Sequence, residues 1–195
     1  MTSIIGAGGH AHVVLDALLA NKFNDIQIYD NNKVGLKILG FVIEDINSIE
    51  IKNAIHVAIG DNKSRYKLIN EYLHQSYNLK SVKHPQSIIS FFSKIEPGAM
   101  ISAGAVIGPN VIINHGTIIN HNAVVDHECI IGMCSHIAPS ATLGGNVQIG
   151  EGGFIGAGAV VLPGVKIGNW VTVGAGSVVT KDLPDNCVVK GVPAR

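Results

Sequence analysis

A chain of 195 residues, 47% hydrophobic and 14% charged, can bury one large core or two small ones. Its 14 Lys and Arg residues balance its 14 Asp and Glu residues, which argues against nucleic acid or a membrane surface as a partner. The first residues, MTSIIGAGGH, lack a basic stretch and a cleavage site, and no apolar run reaches membrane-spanning length. We therefore expect a cytoplasmic protein without membrane insertion.

Residues 1–84 alternate short apolar strands with helical patterns. SIIGAG is a strand that enters a glycine turn, DIQIYD is a second strand and HVAIGD is a third. HAHVVLDALLA and NKSRYKLINEYLHQ have apolar residues at helical spacing. The pattern predicts a parallel βαβ unit, half of a Rossmann domain, in residues 1–84.

The pattern changes in residues 85–195, where a period of six residues begins at Ile95. Fifteen aliphatic residues follow one another at this spacing without a gap: Ile95, Ile101, Ile107, Ile113, Ile119, Val125, Ile131, Ile137, Leu143, Ile149, Ile155, Val161, Ile167, Val173 and Val179. Four residues after each of the first fourteen comes a small residue, as at Ala99, Ala105 and Cys129. A helix cannot use a period of six, so we predict a parallel β-helix of roughly five coils, each of about 18 residues, stacked at the strand spacing. Cys129 is then a buried core residue, and the three cysteines form no CxxC pair.

Several motifs carry a resemblance to a known family. The hexads, PGVKIG and the ending GVPAR resemble the hexapeptide-repeat acyltransferases, whose coil is left-handed and which use acetyl-CoA and act as trimers. GAGGH, IGDN, the DHE triplet and SHIAP resemble bacterial amino-sugar N-acetyltransferases of the bacillosamine and perosamine type, and the related sialic acid O-acetyltransferases. The resemblance covers nearly the whole chain. It implies acetyl-CoA as co-substrate, a nucleotide-linked amino sugar such as a UDP-4-amino sugar as acceptor, a homotrimer, and a role in surface glycan or glycoprotein biosynthesis.

The resemblance also implies roles for single residues. His127 matches the general base, and Glu128 matches the acidic residue that raises its basicity. The positions that match the sugar-nucleotide contacts are Gly8, Gly9, His10, Asp30, Asn31 and Gly60. The positions that match the acetyl-CoA contacts are His136, Gly145, Ala157 and Ala175.

The stretch NHNAVVDHECIIG supports such chemistry independently, because it sets acid-base side chains into an otherwise plain repeat. An amine must lose a proton when it attacks a thioester, and an imidazole beside a carboxylate can accept that proton near neutral pH. His127 has an acid on either side, Asp126 and Glu128, and either one can be its partner. Asn120 is a candidate for orienting the acceptor, although an exposed Asn is also common in β-helix turns.

Counting in hexads converts these positions into geometry. Gly145 follows His127 by 18 residues, one full coil, so it should lie above His127 and leave open space there. His136 is half a coil from His127 and should face another side of the prism, where the two cannot meet within one chain. A parallel homotrimer would bring them together between subunits.

Other functions fit parts of the sequence. Gly6, Gly8 and Ala11 have the GxGxxA spacing of a dinucleotide-binding turn, with Asp30 at the end of the next strand, so NAD is an alternative ligand, although about 84 residues suit a mononucleotide. A zinc hydratase of the γ-carbonic-anhydrase type would need three convergent imidazoles. His115, His121 and His127 are six residues apart and should point from three faces, so we expect no metal. Sugar O-acetylation and a non-catalytic solenoid are the remaining alternatives.

Overall fold

The computed structural model describes residues 1–49 and 53–195. Its N-terminal part contains, among the described residues, a five-stranded sheet in the order β3-β4-β2-β1-β5. The pairs β1–β2, β1–β5 and β2–β4 are parallel, whereas β3 and β4 form an antiparallel hairpin that the sequence analysis did not predict. The strands are β1 (Thr2–Ile5), β2 (Ile26–Tyr29), β3 (Lys37–Ile38), β4 (Phe41–Glu44) and β5 (Ala54–Val57).

Two helices cover this sheet, α1 (Gly9–Ala20) and α2 (Asn62–His74), and a short 3₁₀ helix spans Ile46–Ser48. Successive side chains of a strand point to opposite faces, so Ile4 packs in a cluster with residues of α1 while Ile5 packs in a cluster with Ile69 of α2. The N-terminal part is thus an α/β unit with a helix on each side of its sheet. Neither described helix is long and apolar enough to cross a membrane.

The rest of the chain winds into a parallel β-solenoid with three flat faces. In the described chain the first, second and third faces have seven, six and five two-residue strands, which makes about six coils. The first face contains β6 (Val82–Lys83), β9 (Met100–Ile101), β12 (Ile118–Ile119), β15 (His136–Ile137), β18 (Phe154–Ile155), β21 (Thr172–Val173) and β23 (Val188–Val189). The second contains β7 (Ile88–Ile89), β10 (Val106–Ile107), β13 (Val124–Val125), β16 (Thr142–Leu143), β19 (Val160–Val161) and β22 (Val178–Val179). The third contains β8 (Lys94–Ile95), β11 (Ile112–Ile113), β14 (Ile130–Ile131), β17 (Gln148–Ile149) and β20 (Lys166–Ile167).

The register of the solenoid is that of the hexads. Ile113 pairs with Ile95 below it and Ile131 above it, at intervals of 18 residues, and these side chains line one continuous core. The smaller residues of the second register, Cys129 among them, are also buried in this core. The solenoid has about one coil more than the count from Ile95 predicts, because its first strand begins at Val82.

The N-terminal unit is docked on the first face of the solenoid. Met100 and Ile118 point outward from that face and are each 1% exposed, because they pack in one cluster with residues of α1. Cys134, two residues before β15 of the same face, belongs to the cluster that contains Ile69 of α2. Both helices therefore contact the solenoid, and the lower part of its first face is buried within this single chain.

Candidate active site

His127 occupies a corner of the solenoid, between the second and third faces. Nδ1 of its imidazole lies 3.2 Å from Oε2 of Glu128, and its backbone N–H donates to Oδ1 of Asp126 at 2.7 Å. The two neighbouring acids thus make different contacts, because Asp126 binds the backbone of the turn and Glu128 binds the imidazole ring. Nε2 makes no hydrogen bond to any described residue, and the side chain is 53% exposed. The geometry suits a base whose Nδ1–H is held by a carboxylate and whose Nε2 faces a reactant.

Gly145 lies one coil above His127, as the hexad count predicts, and the N–H of Asn146 donates to the carbonyl of His127. The space above His127 is not open, however, because the imidazole itself fills it. A Cβ added to Gly145 would lie 2.4 Å from Nε2 of His127. Gly145 does not have a positive φ, so its absent side chain makes room for the ring and does not serve the backbone conformation.

His136 and Asn120 form a second group on the first face. Nδ2 of Asn120 lies 3.0 Å from Nε2 of His136, and Oδ1 of Asn120 accepts a hydrogen bond from the N–H of His121. An amide nitrogen can only donate, so Nε2 of His136 is the acceptor and its ring is neutral. Burial, assisted by the nearby Arg65 cation, lowers the pKa of His136 to about 4. The His136 ring also makes an edge contact with Phe154, at 5.3 Å between ring centroids.

His10, in the first turn of α1, lies at the junction of the two units. Burial lowers its pKa to about 3, and the charges of His56, Arg65, His136 and His121 act in the same direction. Its Nε2 is buried and has no hydrogen-bond partner among the described residues. His10 and His136 are 126 residues apart in the sequence, and the docking of the two units places them near each other.

The glycine loop before α1 is open. Gly8 and Gly9 are exposed, and a Cβ added to either would meet no described atom within 4 Å. Gly8 is the N-cap of α1 and provides no side-chain cap, so no capping side chain occupies the first backbone N–H groups of the helix, an arrangement that suits a phosphate.

Asp30 closes the base of that loop. Its Oδ2 accepts from the N–H of Ala7 at 2.9 Å and its Oδ1 accepts from the N–H of Asn32 at 2.9 Å. Asn31 between them is exposed at the rim of the loop. Gly60, three residues after β5, borders the same region, and a Cβ added to it would lie 3.7 Å from Cβ of His10.

Ala157 and Ala175 stack one above the other on the corner between the first and second faces, where the N–H of Gly176 donates to the carbonyl of Ala157. Both are exposed. They form a column of small residues on the outside of the upper coils, where a long ligand can approach the backbone.

The structure distributes the candidate residues over two sides of one chain. His127 and Gly145 lie on the corner opposite the first face, whereas His136, Asn120, His10 and Gly60 gather where the N-terminal unit meets the first face. His115, His121 and His127 lie on three different corners. Among residues 1–49 and 53–195, no three metal-binding side chains come together.

The sequence analysis missed two features of the junction. Arg65 of α2 is 1% exposed and donates hydrogen bonds to both units, and no pattern in NKSRYKLINEYLHQ indicated this. A cleft of about 660 Å³ runs between the start of α2 at Gly60–Lys63 and the upper part of the first face at Phe154 and Thr172. Its lining comes from both units, so only the docking of the domains creates it.

Two family models match the chain. The model of the PglD N-terminal domain matches residues 3–72, and the model of the bacterial transferase hexapeptide (six repeats) matches residues 146–181. The order of the two matches defines the class of the protein as a two-domain hexapeptide-repeat transferase.

Solved structures extend the likeness over the whole chain. The acetyltransferase domain of PglB from Neisseria gonorrhoeae, in complex with acetyl coenzyme A, is 34% identical, with a TM-score of 0.95 and coverage of 100% of this chain and 97% of that one. A mutant of GDP-perosamine N-acetyltransferase from Caulobacter crescentus, in complex with CoA and GDP-perosamine, is 38% identical, with a TM-score of 0.94 and coverage of 100% and 95%. The chain belongs to the family of hexapeptide-repeat sugar acetyltransferases that includes these two proteins.

Curated relatives match only part of the chain. Galactoside O-acetyltransferase of Lactococcus lactis is 57% identical over 47 residues, which are 24% of this chain and 23% of that protein. The dTDP-3-amino-3,6-dideoxy-alpha-D-galactopyranose 3-N-acetyltransferase of Aneurinibacillus thermoaerophilus is 47% identical over 51 residues, 26% of this chain and 27% of that protein. The chain thus spans about a quarter of the length of these relatives.

Proposed function

We propose that this protein transfers the acetyl group of acetyl-CoA to the amino group of a nucleotide-linked amino sugar. The observation that carries the proposal is the His127–Glu128 pair, in which the carboxylate contacts Nδ1 while Nε2 is left for a reactant. The solved neighbours add that one family member binds acetyl-CoA and another binds CoA with GDP-perosamine. Our first choice of acceptor is a UDP-4-amino sugar used in surface glycan or glycoprotein biosynthesis.

The reaction needs one base and no covalent enzyme intermediate, because the thioester is already activated. The sugar amine attacks the thioester carbonyl, a C–N bond forms, and Nε2 of His127 takes the proton that the nitrogen loses. The tetrahedral intermediate then expels the CoA thiolate, which recovers a proton from the imidazolium. Glu128, in contact with Nδ1, fixes the tautomer and stabilises the transient positive charge. The products are the N-acetyl sugar and CoA.

Each domain has a distinct task in this proposal. Gly8 and Gly9 present open backbone N–H groups to the diphosphate of the sugar nucleotide, with Asp30, Asn31, His10 and Gly60 around them. Ala157 and Ala175 provide the column along which the CoA arm lies, and His136 and Gly145 border its acetyl end. Asn120, held by His136, offers its second amide hydrogen to the acceptor.

The position of His127 supports a homotrimer. It lies across the prism from His136 and Asn120, so one chain does not assemble a complete site from both groups. A neighbouring copy that placed its His127 corner near the first face would complete it. We expect sedimentation velocity to show a trimer, and a fully active monomer would contradict this arrangement.

The test is an acceptor panel with release of CoA thiol as the signal. Purified protein is given acetyl-CoA with UDP-, dTDP- and GDP-linked 4-amino sugars, and with sialic acid and the 4-hydroxy counterparts of the sugars. We expect turnover only with an amino sugar, and mass spectrometry should locate the acetyl group on nitrogen. Turnover with sialic acid or a 4-hydroxy sugar alone would establish the O-acetyltransferase alternative, which uses the same base.

A further inference from the structure

Arg65 is a buried cation that the proposed chemistry does not use. Its guanidinium makes hydrogen bonds to the solenoid at Gly116 (2.7 Å from Nε), Cys134 (2.8 Å from Nη2) and Ser135 (3.4 Å from Nη2), in each case to the backbone carbonyl. Burial lowers its pKa to about 10, which still leaves it charged at neutral pH. The side chain thus spans the boundary between the two units with a fixed positive charge.

The same guanidinium holds the loop that follows β5. Nη1 donates to the carbonyls of Ile59 (2.8 Å) and Gly60 (2.9 Å), and Nη2 donates to Oδ1 of Asn62 (2.8 Å). Five of its acceptors are therefore backbone carbonyls and one is an amide, which the planar fork of Arg can reach together and the single ammonium of Lys cannot.

Two candidate site residues lie at the ends of this link. Gly60 is a candidate sugar-nucleotide contact, and its carbonyl accepts a hydrogen bond from the Arg65 guanidinium. A backbone hydrogen bond with Gly60 also acts to raise the pKa of His136, against the larger lowering by burial. Cys134 and Ser135, whose carbonyls receive Nη2, directly precede His136 in the chain. Arg65 therefore fixes the separation between the nucleotide-side loop and the strand that presents His136 and, through it, the Asn120 amide.

We infer that Arg65 is a positioning residue that sets the Gly60 loop against the His136 strand, so that a sugar nucleotide bound on the N-terminal domain is presented to the acetyl-transfer site on the solenoid. The inference rests on the proposed function for the identity of the substrate. The coupling between the Gly60 loop and the His136 strand is a property of the junction and does not depend on the proposed function. A purely structural anchor would lower stability when removed and leave the kinetics of the folded enzyme unchanged.

The kinetic test compares three full-length variants with the wild type at a temperature where each is folded. Arg65→Met removes every hydrogen bond at similar length, Arg65→Lys keeps the charge without the fork, and Lys67→Met removes a charge from an exposed position of the same helix. We expect Arg65→Met to lower kcat with the sugar nucleotide about 10-fold to 100-fold, the scale of a small misplacement of reactants. The KM for acetyl-CoA should stay within about 2-fold, as expected when an orienting contact outside the CoA site is lost. Arg65→Lys should recover part of kcat, and Lys67→Met should match the wild type.

A second measurement does not depend on turnover. Saturating UDP or GDP should slow hydrogen exchange of the backbone amides at 134–136 in the wild type and in Lys67→Met, but not in Arg65→Met. Wild-type kcat in Arg65→Met, or nucleotide protection of 134–136 that survives the substitution, would overturn the inference, and so would absence of that protection from the wild type. If Arg65→Met does not fold, Arg65→Lys takes its place in both measurements. A wild type that accepts no amino sugar but shows the Arg65-dependent protection would refute the proposed function and leave the coupling standing.

Discussion

The solenoid and the N-terminal domain position their functional side chains in different ways. In the solenoid, a residue's place in the six-residue period fixes its face and its coil, so Gly145 lies over His127 because 18 residues separate them. In the N-terminal domain, position depends on how a sheet and two helices pack, and His10 reaches the solenoid only because α1 docks on the first face. In the proposed function, the repeat places the acetyl-transfer residues at defined heights, and the docked domain brings the sugar nucleotide to one of those heights.

The difference also appears in the polar groups. The solenoid core is almost entirely aliphatic, whereas the junction holds Arg65 and His56, which are buried, and His10 and His136, which are half-buried. Burying a cation or an imidazole is costly unless hydrogen bonds replace water. The junction therefore holds groups that respond to pH and to substitution, while the repeat provides a rigid frame.

The largest effect is expected at the corner of the repeat that carries His127, the proposed base. His127→Ala should lower turnover about 100-fold or more, the usual contribution of a positioned general base, and leave acetyl-CoA affinity nearly unchanged. His115→Ala, at an equivalent corner position, should stay within a few-fold of the wild type. A His127→Ala enzyme with nearly full turnover would mean that the base lies elsewhere.

Gly145→Ala sharpens the comparison, because its effect on turnover should come only from the steric conflict between the added methyl group and the His127 ring. The added methyl group would lie where the His127 ring now is, so the imidazole must move away from its place beside Glu128. We expect about 10-fold to 100-fold lower turnover, typical of a misplaced catalytic group, with little change in melting temperature.

The matched control is Gly164→Ala in the next coil, where the N–H of Gly164 donates to the carbonyl of Gly145. There an added Cβ meets no described atom within 4 Å, but φ is +75°. This variant should lose about 1 kcal/mol of stability and keep its turnover. If the two substitutions had the same effects on both properties, steric room for His127 would not explain Gly145.

The junction, and not the repeat, should govern acid sensitivity. Burial lowers the pKa values of His10, His56 and His136 to about 3, 4 and 4, against 6.5 for an ordinary His. Between pH 6.5 and about 4 the unfolded chain therefore binds more protons than the folded protein does. The free energy of unfolding should be at its full value above pH 6.5 and fall as the pH drops toward 4.

Thermal melts from pH 7 to pH 5 check this expectation. The exposed His74 provides a control, so His74→Gln should follow the wild-type curve. His10→Gln should show a shallower loss of melting temperature with acid, whatever its melting temperature at pH 7. The junction account fails if both variants keep the wild-type slope.

A smaller effect is expected at the start of α2. The described part of the solenoid contains no helix, so this feature belongs to the N-terminal domain alone. Oδ1 of Asp61 accepts a hydrogen bond from the N–H of Ser64 at 2.8 Å and caps α2. Asp61→Ala should cost about 1 kcal/mol of stability in chemical denaturation, and Asp61→Asn, which can still accept that bond, much less. Equal losses in the two variants would mean that the cap is not the cause.

Most of the fold and part of the geometry of the candidate site could be predicted from the sequence. The hexads gave every solenoid face, the burial of Cys129 and the coil relation of Gly145 to His127, because a strict period converts sequence distance into spatial distance. The βαβ pattern gave the strands and helices of the N-terminal domain but not the β3–β4 hairpin, in which β3 has only two residues. The meeting of His10, Arg65 and His136 depends on how two domains dock, and no local pattern encodes that.

The backbone of Glu128 has a consequence for the evolution of this corner. Glu128 has a φ of +60°. The equivalent positions of other hexads also have positive φ, and they hold glycines, as at Gly116 and Gly152, or other residues, as at Asn146 and Trp170. A residue with a Cβ is disfavoured in that conformation by roughly 1 kcal/mol, so the acid partner of His127 is kept at the expense of stability. Glu128→Gly should therefore melt at a higher temperature than the wild type and turn over more slowly. Selection for heat resistance alone would favour glycine at this position, so a glutamate kept there in a thermostable relative would indicate selection for activity.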